Sequence, residues 1–582
     1  MTRSLAGKLV LATAAASLAV GIAYALSQQT LPSDAGSTCL AGPDSLTAVE
    51  FNSWFDAGVV SLNGAVKPAD SVHFPDRPNC TFYKWSEQMF LWLTSPAPPR
   101  YGGGGGLIMN SSAFYDVTPP DSMGHRQLVP HSSGFVRAFT LRTAQKGLLD
   151  LPVLLEKDTL RVLEVLPTVF SREGRQMVAD QNGNQVEVGS ARQSTDGTPI
   201  LLDLSGRPIQ GPRAILQPEI AKKMDLLGNF DRTELVQKLT LADKSIVTLD
   251  LFGSFPKTEQ AMADGGVLMA QNGSLVYYAL TVNNVFALYR TMQGASVPAG
   301  TKFPVTQTDL DAITNFAAAN GQPPVIDSEA MAIEIKSAWI EASSLVDPSK
   351  FIQMKAVIPV YNTSNPNDWV QTGTTTKTLA MVGMHIVGST GSTNPANNVN
   401  HGHPEMLWAT FEHLSNGPSA TYNYAKTPSG TGTVTQNTVG DWLFSSNGSA
   451  GPFNLPHITT NAAPAGHLLS VSPFTISPSD TLRIKPFGMD GTSSTSNAEV
   501  ISINNKVRSL LDPADVRVNY FHEGTTWTIF GADTSPVSNQ VGTKKLANTT
   551  METYSQGSNC FSCHGSNTTA VSHIFADIDP LF

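Results

Sequence analysis

The most specific chemical pattern in the chain lies near its C-terminal end. Residues 559–564 read Asn-Cys-Phe-Ser-Cys-His, so two cysteines three residues apart are followed at once by a histidine. This C-x-x-C-H spacing is typical of c-type haem attachment, in which two thiols bind the vinyl groups of the porphyrin and the histidine binds the iron. We therefore predict one covalent haem c on Cys560 and Cys563, with His564 as the proximal axial ligand.

Other uses of a C-x-x-C pair need features that the sequence does not offer. A thioredoxin-like redox pair needs a βαβ setting. A zinc site needs two further ligands, of which His573 could supply one, but the chain has no second C-x-x-C and no H-x-x-H. A plain disulfide is sterically unfavourable at this spacing. Haem iron is therefore the only metal that we predict.

A second group of ionisable residues lies in two predicted strands upstream of the motif. His385 stands in the apolar run LAMVGMHIVG, His403 opens the next predicted strand, and Glu412 and His413 end it. Ionisable groups in apolar strands are costly unless they are paired or bind a ligand. If the two strands pair, these four residues are candidates for a distal haem pocket with acid–base groups or for a separate metal site. The alternative is a buried network that satisfies itself.

The sixth position of the iron is left open by the sequence. His573 is close to His564 along the chain, so crossing the haem plane would be difficult, and the sixth ligand could instead come from the upstream strands or be absent. Glu334 and Lys336 share one face of another predicted strand. That face is either solvated or adjoins the same cluster.

The elements that must position these residues are mainly strands. Alternating apolar runs separated by Ser, Thr, Asn, Gly and Pro predict a mainly β, α+β fold, with a β-sandwich or barrel-like body and a short C-terminal haem-attachment tail. Helical spacing predicts helices at Thr81–Leu93, Ile220–Leu241 and Asp309–Asn320. The predicted regions are a signal peptide (1–25), a helical N-terminal region (26–132), a mixed, mainly β domain (133–330), a β-rich domain (331–545) and the haem-binding tail (546–582).

The N-terminus has the features of a bacterial Sec-type signal peptide. Arg3 and Lys8 precede an apolar run that ends at Ala23-Tyr24-Ala25, an A-x-A cleavage pattern. We expect cleavage rather than retention as an anchor, no stable membrane span afterwards, and a periplasmic or secreted protein. In that oxidising compartment Cys39 and Cys80 are candidates for a disulfide.

Composition narrows the range of partners. The net charge is −10, and charged residues make up 14% of the chain. A phosphate-binding face needs clustered Lys and Arg. No such cluster is visible, so we predict no nucleic-acid partner.

Several strings in the chain resemble those of a family of large exported bacterial proteins known only as cytochrome c family proteins. The resemblance would span most of the chain and implies a covalent haem, but no defined activity. It rests on Leu546–Tyr554, Cys560–His564, Val571–Phe575, His385–Gly388, and His403–Met406 with Glu412-His413.

A second resemblance concerns the overall plan only. Lysine-cross-linked c-type cytochromes that oxidise hydroxylamine also carry C-x-x-C-H near the C-terminus of a β-rich domain. The likeness implies an open, five-coordinate haem that reacts with small nitrogen compounds. This chain departs from that family because it is several times longer and its cross-linking lysine cannot be identified.

The sequence thus favours an exported mono-haem cytochrome that transfers electrons to periplasmic redox partners. The alternative is a haem-dependent oxidoreductase of oxidase or peroxidase type, which acts on a small-molecule substrate in a distal pocket formed by the β domain. A third hypothesis is a module that binds a sugar or another small molecule.

Overall fold

The structure is a computed structural model that describes most of the chain after residue 25. The described residues are 26–36, 39, 44–76, 79–102, 106–121, 124–132, 136–141, 151, 153–156, 162–194, 198–227, 231–241, 246–256, 258–259, 266–298, 300–393, 402–460, 466–471, 473–488, 494–531, 539–546, 548–554, 556, 560–564 and 571–582. The predicted signal peptide therefore lies outside the described residues.

Strands outnumber helices in the described part of the chain. The helices are α1 (Ala48–Trp54), α2 (Asn79–Leu93), α3 (Pro218–Leu227), α4 (Asn284–Met292), α5 (Gln307–Ala319), α6 (Ser494–Leu510) and α7 (Cys560–Cys563). The strands are β1 (Phe114–Val117), β2 (Leu128–Pro130), β3 (Arg137–Ala138), β4 (Val153–Glu156), β5 (Val162–Leu166), β6 (Met177–Ala179), β7 (Gln185–Glu187), β8 (Ser190–Gln193), β9 (Pro199–Leu202), β10 (Leu235–Thr240), β11 (Ile246–Asp250), β12 (Thr258–Glu259), β13 (Gly266–Val267), β14 (Tyr277–Asn283), β15 (Ile333–Glu341), β16 (Gln353–Asn362), β17 (Asp368–Thr390), β18 (His403–His413), β19 (Tyr422–Ala425), β20 (Thr431–Val434), β21 (Ile458–Thr459), β22 (His467–Ser470), β23 (Tyr520–Thr528) and β24 (Gln540–Gly542).

One large, mostly antiparallel sheet organises the protein. Its 13 described strands include the path β13-β21-β22-β17-β15-β14-β1-β2, and the long strand β17 also pairs with β16 and with β18, which pairs with β23. A smaller sheet has the order β11-β10-β5-β4-β12. The prediction of a mainly β, α+β fold is confirmed. Over the described strands the large sheet is open and is not closed into a barrel.

The first face of the large sheet is apolar and is covered by helix α2. The ring of Phe90 in α2 stacks on Phe411 of β18, with centroids 4.4 Å apart. Ile335 and Met384 lie in the same buried cluster. The aromatic stripe that predicted this helix therefore forms core, as is usual for a helix with one apolar face.

Polar side chains occur on the opposite face because strand residues alternate between the two sides of a sheet. Glu334 and Lys336 alternate along β15 with the buried Ile333 and Ile335. This second face is covered by the segment after residue 547, which we call the C-terminal tail.

The C-terminal tail is fitted closely to the sheet. The Asn548 side-chain amide donates to Thr410 Oγ1 at 2.8 Å. The Tyr278 hydroxyl donates to the Thr550 carbonyl at 2.6 Å. A Cβ atom on Gly383 would lie 2.3 Å from Thr550 Oγ1, so only glycine leaves room for the tail here. Further along, Val571, Ile574, Phe575 and Ile578 join a buried cluster with residues from the sheet and α4.

A disulfide joins Cys39 to Cys80 at the second position of α2. This confirms the predicted pairing. The bridged residues are separated by 41 positions, and closing a loop of that size in the unfolded chain stabilises the folded state by about 4 kcal/mol in the entropic model. None of the helices in the described ranges is long and apolar enough to cross a membrane.

Candidate functional site

The C-x-x-C-H motif forms a short helical turn within the C-terminal tail. Helix α7 begins at Cys560 and ends at Cys563. The backbone N–H of His564 donates to the Cys560 carbonyl at 2.9 Å, which continues the turn to the histidine. The two cysteines thus lie one helical turn apart, although the side chain of Cys563 is outside the described part of the chain.

His564 is held by hydrogen bonding and by ring stacking. Its Nδ1–H donates to the Val571 carbonyl at 2.7 Å. The ring lies 4.1 Å from the ring of Trp408 and is stacked on His573, also at 4.1 Å between centroids. Since Nδ1 carries the donated proton, the neutral ring offers the lone pair of Nε2 to a metal.

The electrostatic surroundings keep the His564 ring neutral. Burial holds the pKa of His564 well below its ordinary value, and the neighbouring His573, His385 and Lys336 lower it further. The Val571 carbonyl opposes this shift. A neutral imidazole is the form of histidine that binds metal ions.

Sheet register brings several predicted residues to the face beneath this turn. His385 on β17 lies opposite Lys336 on one side and Thr410 on the other. Two positions along, Val387 lies between Glu334 and Trp408. Because residues two apart point to the same side of a strand, the polar residues Glu334, Lys336 and His385 share the face that Trp408 presents to His564.

His385 is paired with a carboxylate of the C-terminal tail. Its Nε2–H donates to Glu552 Oε1 at 2.5 Å. Both side chains are only about one-fifth exposed, at 17% and 21%. A hydrogen-bonded imidazole and carboxylate can accept or release a proton as a unit, so this pair is suited to acid–base chemistry.

Glu334 contacts the tail at the other end of the face. The Ser572 hydroxyl donates to Glu334 Oε2 at 2.6 Å. Burial raises the pKa of Glu334 to about 7, although Ser572, Arg126 and Lys336 oppose the shift. The Lys336 ammonium lies 5.6 Å from the ring centroid of Tyr278, within cation–π distance.

Glu412 lies on the same face, but its carboxylate anchors the tail. It accepts from the Thr549 backbone N–H at 2.6 Å and from the Thr549 hydroxyl. It also accepts from Arg483 Nη2 at 2.8 Å, and Arg483 contacts Glu523 as well. All the charged groups of this buried network are at most 1% exposed.

His403 and His413 lie away from the motif, on the side of the sheet that α2 covers. His403 hydrogen-bonds Glu405 at 2.7 Å, and its ring centroid is 5.4 Å from that of Phe82. His413 stacks on Phe351 at 3.7 Å, and burial lowers its pKa to about 3. Of the four residues predicted for a distal pocket, the structure brings only His385 close to His564.

The site also includes residues that the sequence reasoning did not single out. Trp408 and Val571 contact His564 directly, Glu552 binds His385, and Ser572 binds Glu334. Alternation along β18 could have placed Trp408 on the face of Glu412. The tail residues carry no such signal, because their partners are far away in the sequence.

The residues present fit a covalently attached haem. The cysteines are one turn apart, and the following histidine is neutral, half-buried and oriented through Nδ1 by a backbone carbonyl, as is usual for a metal-binding histidine. Within the described ranges, no group of three or more His, Cys, Asp and Glu residues is placed to hold another metal ion.

Comparisons with protein-family models, with curated proteins and with solved structures find no match to the chain. The function of the chain is therefore inferred from the geometry of this site and from the motif itself.

Proposed function

We propose that the protein carries one haem c on Cys560, Cys563 and His564 and transfers electrons to redox partners in the periplasm. The single observation that carries the proposal is the fixed orientation of His564. In this chain the histidine of C-x-x-C-H donates Nδ1–H to the Val571 carbonyl at 2.7 Å, which leaves Nε2 for the iron. The spacing of the two thiols supplies the covalent attachment.

A bound haem would supply a one-electron redox centre, and the residues of the chain determine its surroundings. Trp408 and His573 pack against the His564 ring, which excludes water from the proximal side. Lys336 places positive charge near His564, and positive charge in a medium of low polarity would favour the reduced, less positive state of a bound haem iron.

Export is part of the same proposal. The N-terminal segment has the pattern of a signal peptide, and attachment of haem to C-x-x-C-H normally follows export. The disulfide between Cys39 and Cys80 supports an oxidising compartment.

The attachment is tested by removing both thiols. We expect the double variant Cys560→Ala, Cys563→Ala to contain no covalent haem, measured by haem staining after denaturing electrophoresis of protein expressed with a c-type haem maturation system. The matched control is Cys39→Ala with Cys80→Ala, which removes two cysteines elsewhere and should keep its haem. A motif variant that still carried covalent haem would refute the proposal.

A second candidate function is favoured by the pair His385–Glu552. His385 lies close enough to His564 to influence its pKa. Together with Glu552 it could move a proton to or from a small substrate. The protein would then be a haem-dependent oxidoreductase of oxidase or peroxidase type.

Absorption spectra with and without carbon monoxide separate the two functions. For electron transfer we expect a low-spin spectrum that carbon monoxide does not change, because both axial positions are filled by the protein. A high-spin spectrum that shifts with carbon monoxide would favour the oxidoreductase. In that case His385→Gln should lower peroxide turnover by about 10²- to 10⁴-fold, whereas His403→Gln, on the other side of the sheet, should not.

A further inference from the structure

The contacts of Glu334 carry an inference beyond haem attachment. We infer that Glu334 is a positioning residue for the haem, which acts through Ser572 on the short segment that orients His564, and that its protonation is coupled to the redox state of the iron. This inference rests on the proposed function and deepens it, since it assigns a regulator of the electron-transfer site.

The coupling runs through three consecutive residues of the tail. The Ser572 hydroxyl donates a hydrogen bond to Glu334 Oε2 at 2.6 Å. On one side of Ser572, the Val571 carbonyl accepts from His564 Nδ1, and on the other side the His573 ring stacks on His564. A change at Glu334 therefore acts on two of the three described contacts of the His564 ring, those with Val571 and His573.

The surroundings of Glu334 favour transmission of such a change. Val571 and Ser572 are each 1% exposed, so the segment cannot shift freely into solvent. Glu334 itself lies on β15, which pairs with β14 and β17 inside the large sheet. The hydrogen bond from Ser572 to Glu334 therefore joins a strand inside the sheet to a closely packed part of the tail.

Glu334 is also placed to respond to charge on the iron. The charged groups that act on the Glu334 carboxyl are Lys336 on its own strand and Arg126 from the segment before β2. Lys336 also acts on His564 of the tail and lies opposite His385 on the neighbouring strand. Arg126 additionally lies 3.9 Å from Asp577 of the tail. With a pKa of about 7, Glu334 is partly ionised near neutral pH, so small changes in its surroundings alter its charge.

The sign of the coupling follows from electrostatics. If an external donor added one electron to a bound ferric haem, the site would lose one positive charge, and the Glu334 carboxylate would bind a proton from solvent more readily. By linkage, the midpoint potential must then fall as pH rises through the pKa of Glu334. No other bond is made or broken in this step.

The test is a spectroelectrochemical titration of the full-length haem protein between about pH 5 and about pH 9, a range that brackets the pKa. The wild-type potential should fall with pH. In Glu334→Gln the potential should be independent of pH and close to the wild-type value at low pH, because the amide mimics the protonated acid. The control Glu87→Gln replaces a buried glutamate of helix α2 that has a pKa of about 8. Its midpoint potential should fall with pH as steeply as that of the wild type.

A second variant keeps the inference testable if Glu334→Gln does not fold. The Ser572 hydroxyl lowers the pKa of Glu334, so Ser572→Ala should move the pH-dependent step to higher pH and alter the ferric spectrum. The inference would be overturned if the pH-dependent step of the midpoint potential were unchanged in Ser572→Ala. It would also be overturned if the potential of haem-loaded Glu334→Gln fell with pH as steeply as that of the wild type. Either result would leave the proposed function intact. Absence of covalent haem from the wild-type protein would overturn both.

Discussion

Replacing Arg483 with methionine is expected to lower the free energy of unfolding by about 3–5 kcal/mol. The guanidinium contacts both Glu412 and Glu523, and all three side chains are at most 1% exposed. Burial raises the pKa of Glu523 well above its ordinary value, and Arg483 and the backbone N–H of Phe487 oppose this. Without Arg483, two neighbouring carboxyl groups would be left buried. Urea unfolding followed by circular dichroism measures the loss.

The pH dependence of this loss identifies its cause. Removing Arg483 raises the pKa of Glu523 further, so stability is retained at low pH, where this acid is protonated, and is lost as pH rises. The loss should therefore be smaller at about pH 5 than at about pH 8. Arg207→Met is the control: Arg207 is 80% exposed, and its pair with Asp203 should contribute less than about 1 kcal/mol. An equal effect of the two substitutions would contradict the role assigned to the buried network.

The second large effect is a loss of stability in acid that arises from two buried histidines. Burial lowers the pKa of His413 and of His522 to about 3. In the unfolded chain the pKa is about 6.5, so the stability linked to each residue is complete above that pH and is lost as pH falls toward 3. A shift of this size corresponds to at most about 5 kcal/mol for each histidine.

This acid sensitivity is tested with a variant that keeps an aromatic ring at position 413 but has no titratable group there. His413→Phe preserves the stacking on Phe351, and its free energy of unfolding should fall less steeply between about pH 6 and about pH 4 than that of the wild type. His73 has a side chain that is 68% exposed, so His73→Phe should leave the wild-type steepness unchanged. Identical pH profiles for His413→Phe and the wild type would show that acid unfolding has another origin.

Much of the large sheet could be predicted from the sequence. The runs 332–342, 405–414 and 518–529 show alternation or apolar continuity. They form β15, β18 and β23, whose bounds differ from those of the runs by one or two residues at each end. Such patterns are reliable because each strand of a large sheet buries at least one face. The same logic predicted α2, whose aromatic residues recur every three or four positions.

The prediction failed where partners distant in the sequence decide the local structure. The helix expected over Ile220–Leu241 ends at Leu227 as α3, and the second half forms β10. Strand β10 pairs in parallel with β5, some seventy residues earlier, and antiparallel with β11. Pairing on both edges outweighs a weak helical periodicity.

The site was only partly predictable for a related reason. The motif is local, so spacing alone assigned roles to Cys560 and His564. Predicting a distal pocket requires knowing which side of the sheet each residue of β18 faces. The adjacent residues Glu412 and His413 point to opposite sides. The register shift between Thr410 and Phe411 in the pairing with β23 disturbs that alternation further.

The C-terminal tail makes its contacts with strands that precede it by long stretches of chain. The hydrogen bonds of Thr549 to Glu412 and of Ser572 to Glu334 span 137 and 238 residues. Contacts between residues so far apart in the sequence are expected to form late in folding, because closing a long loop costs entropy before the contact stabilises the chain. As the chain emerges from its amino end, the sheet can therefore assemble first, and Glu334 and His385 remain in water until the tail docks. Docking of the tail is thus the step that converts a solvated sheet face into a buried one.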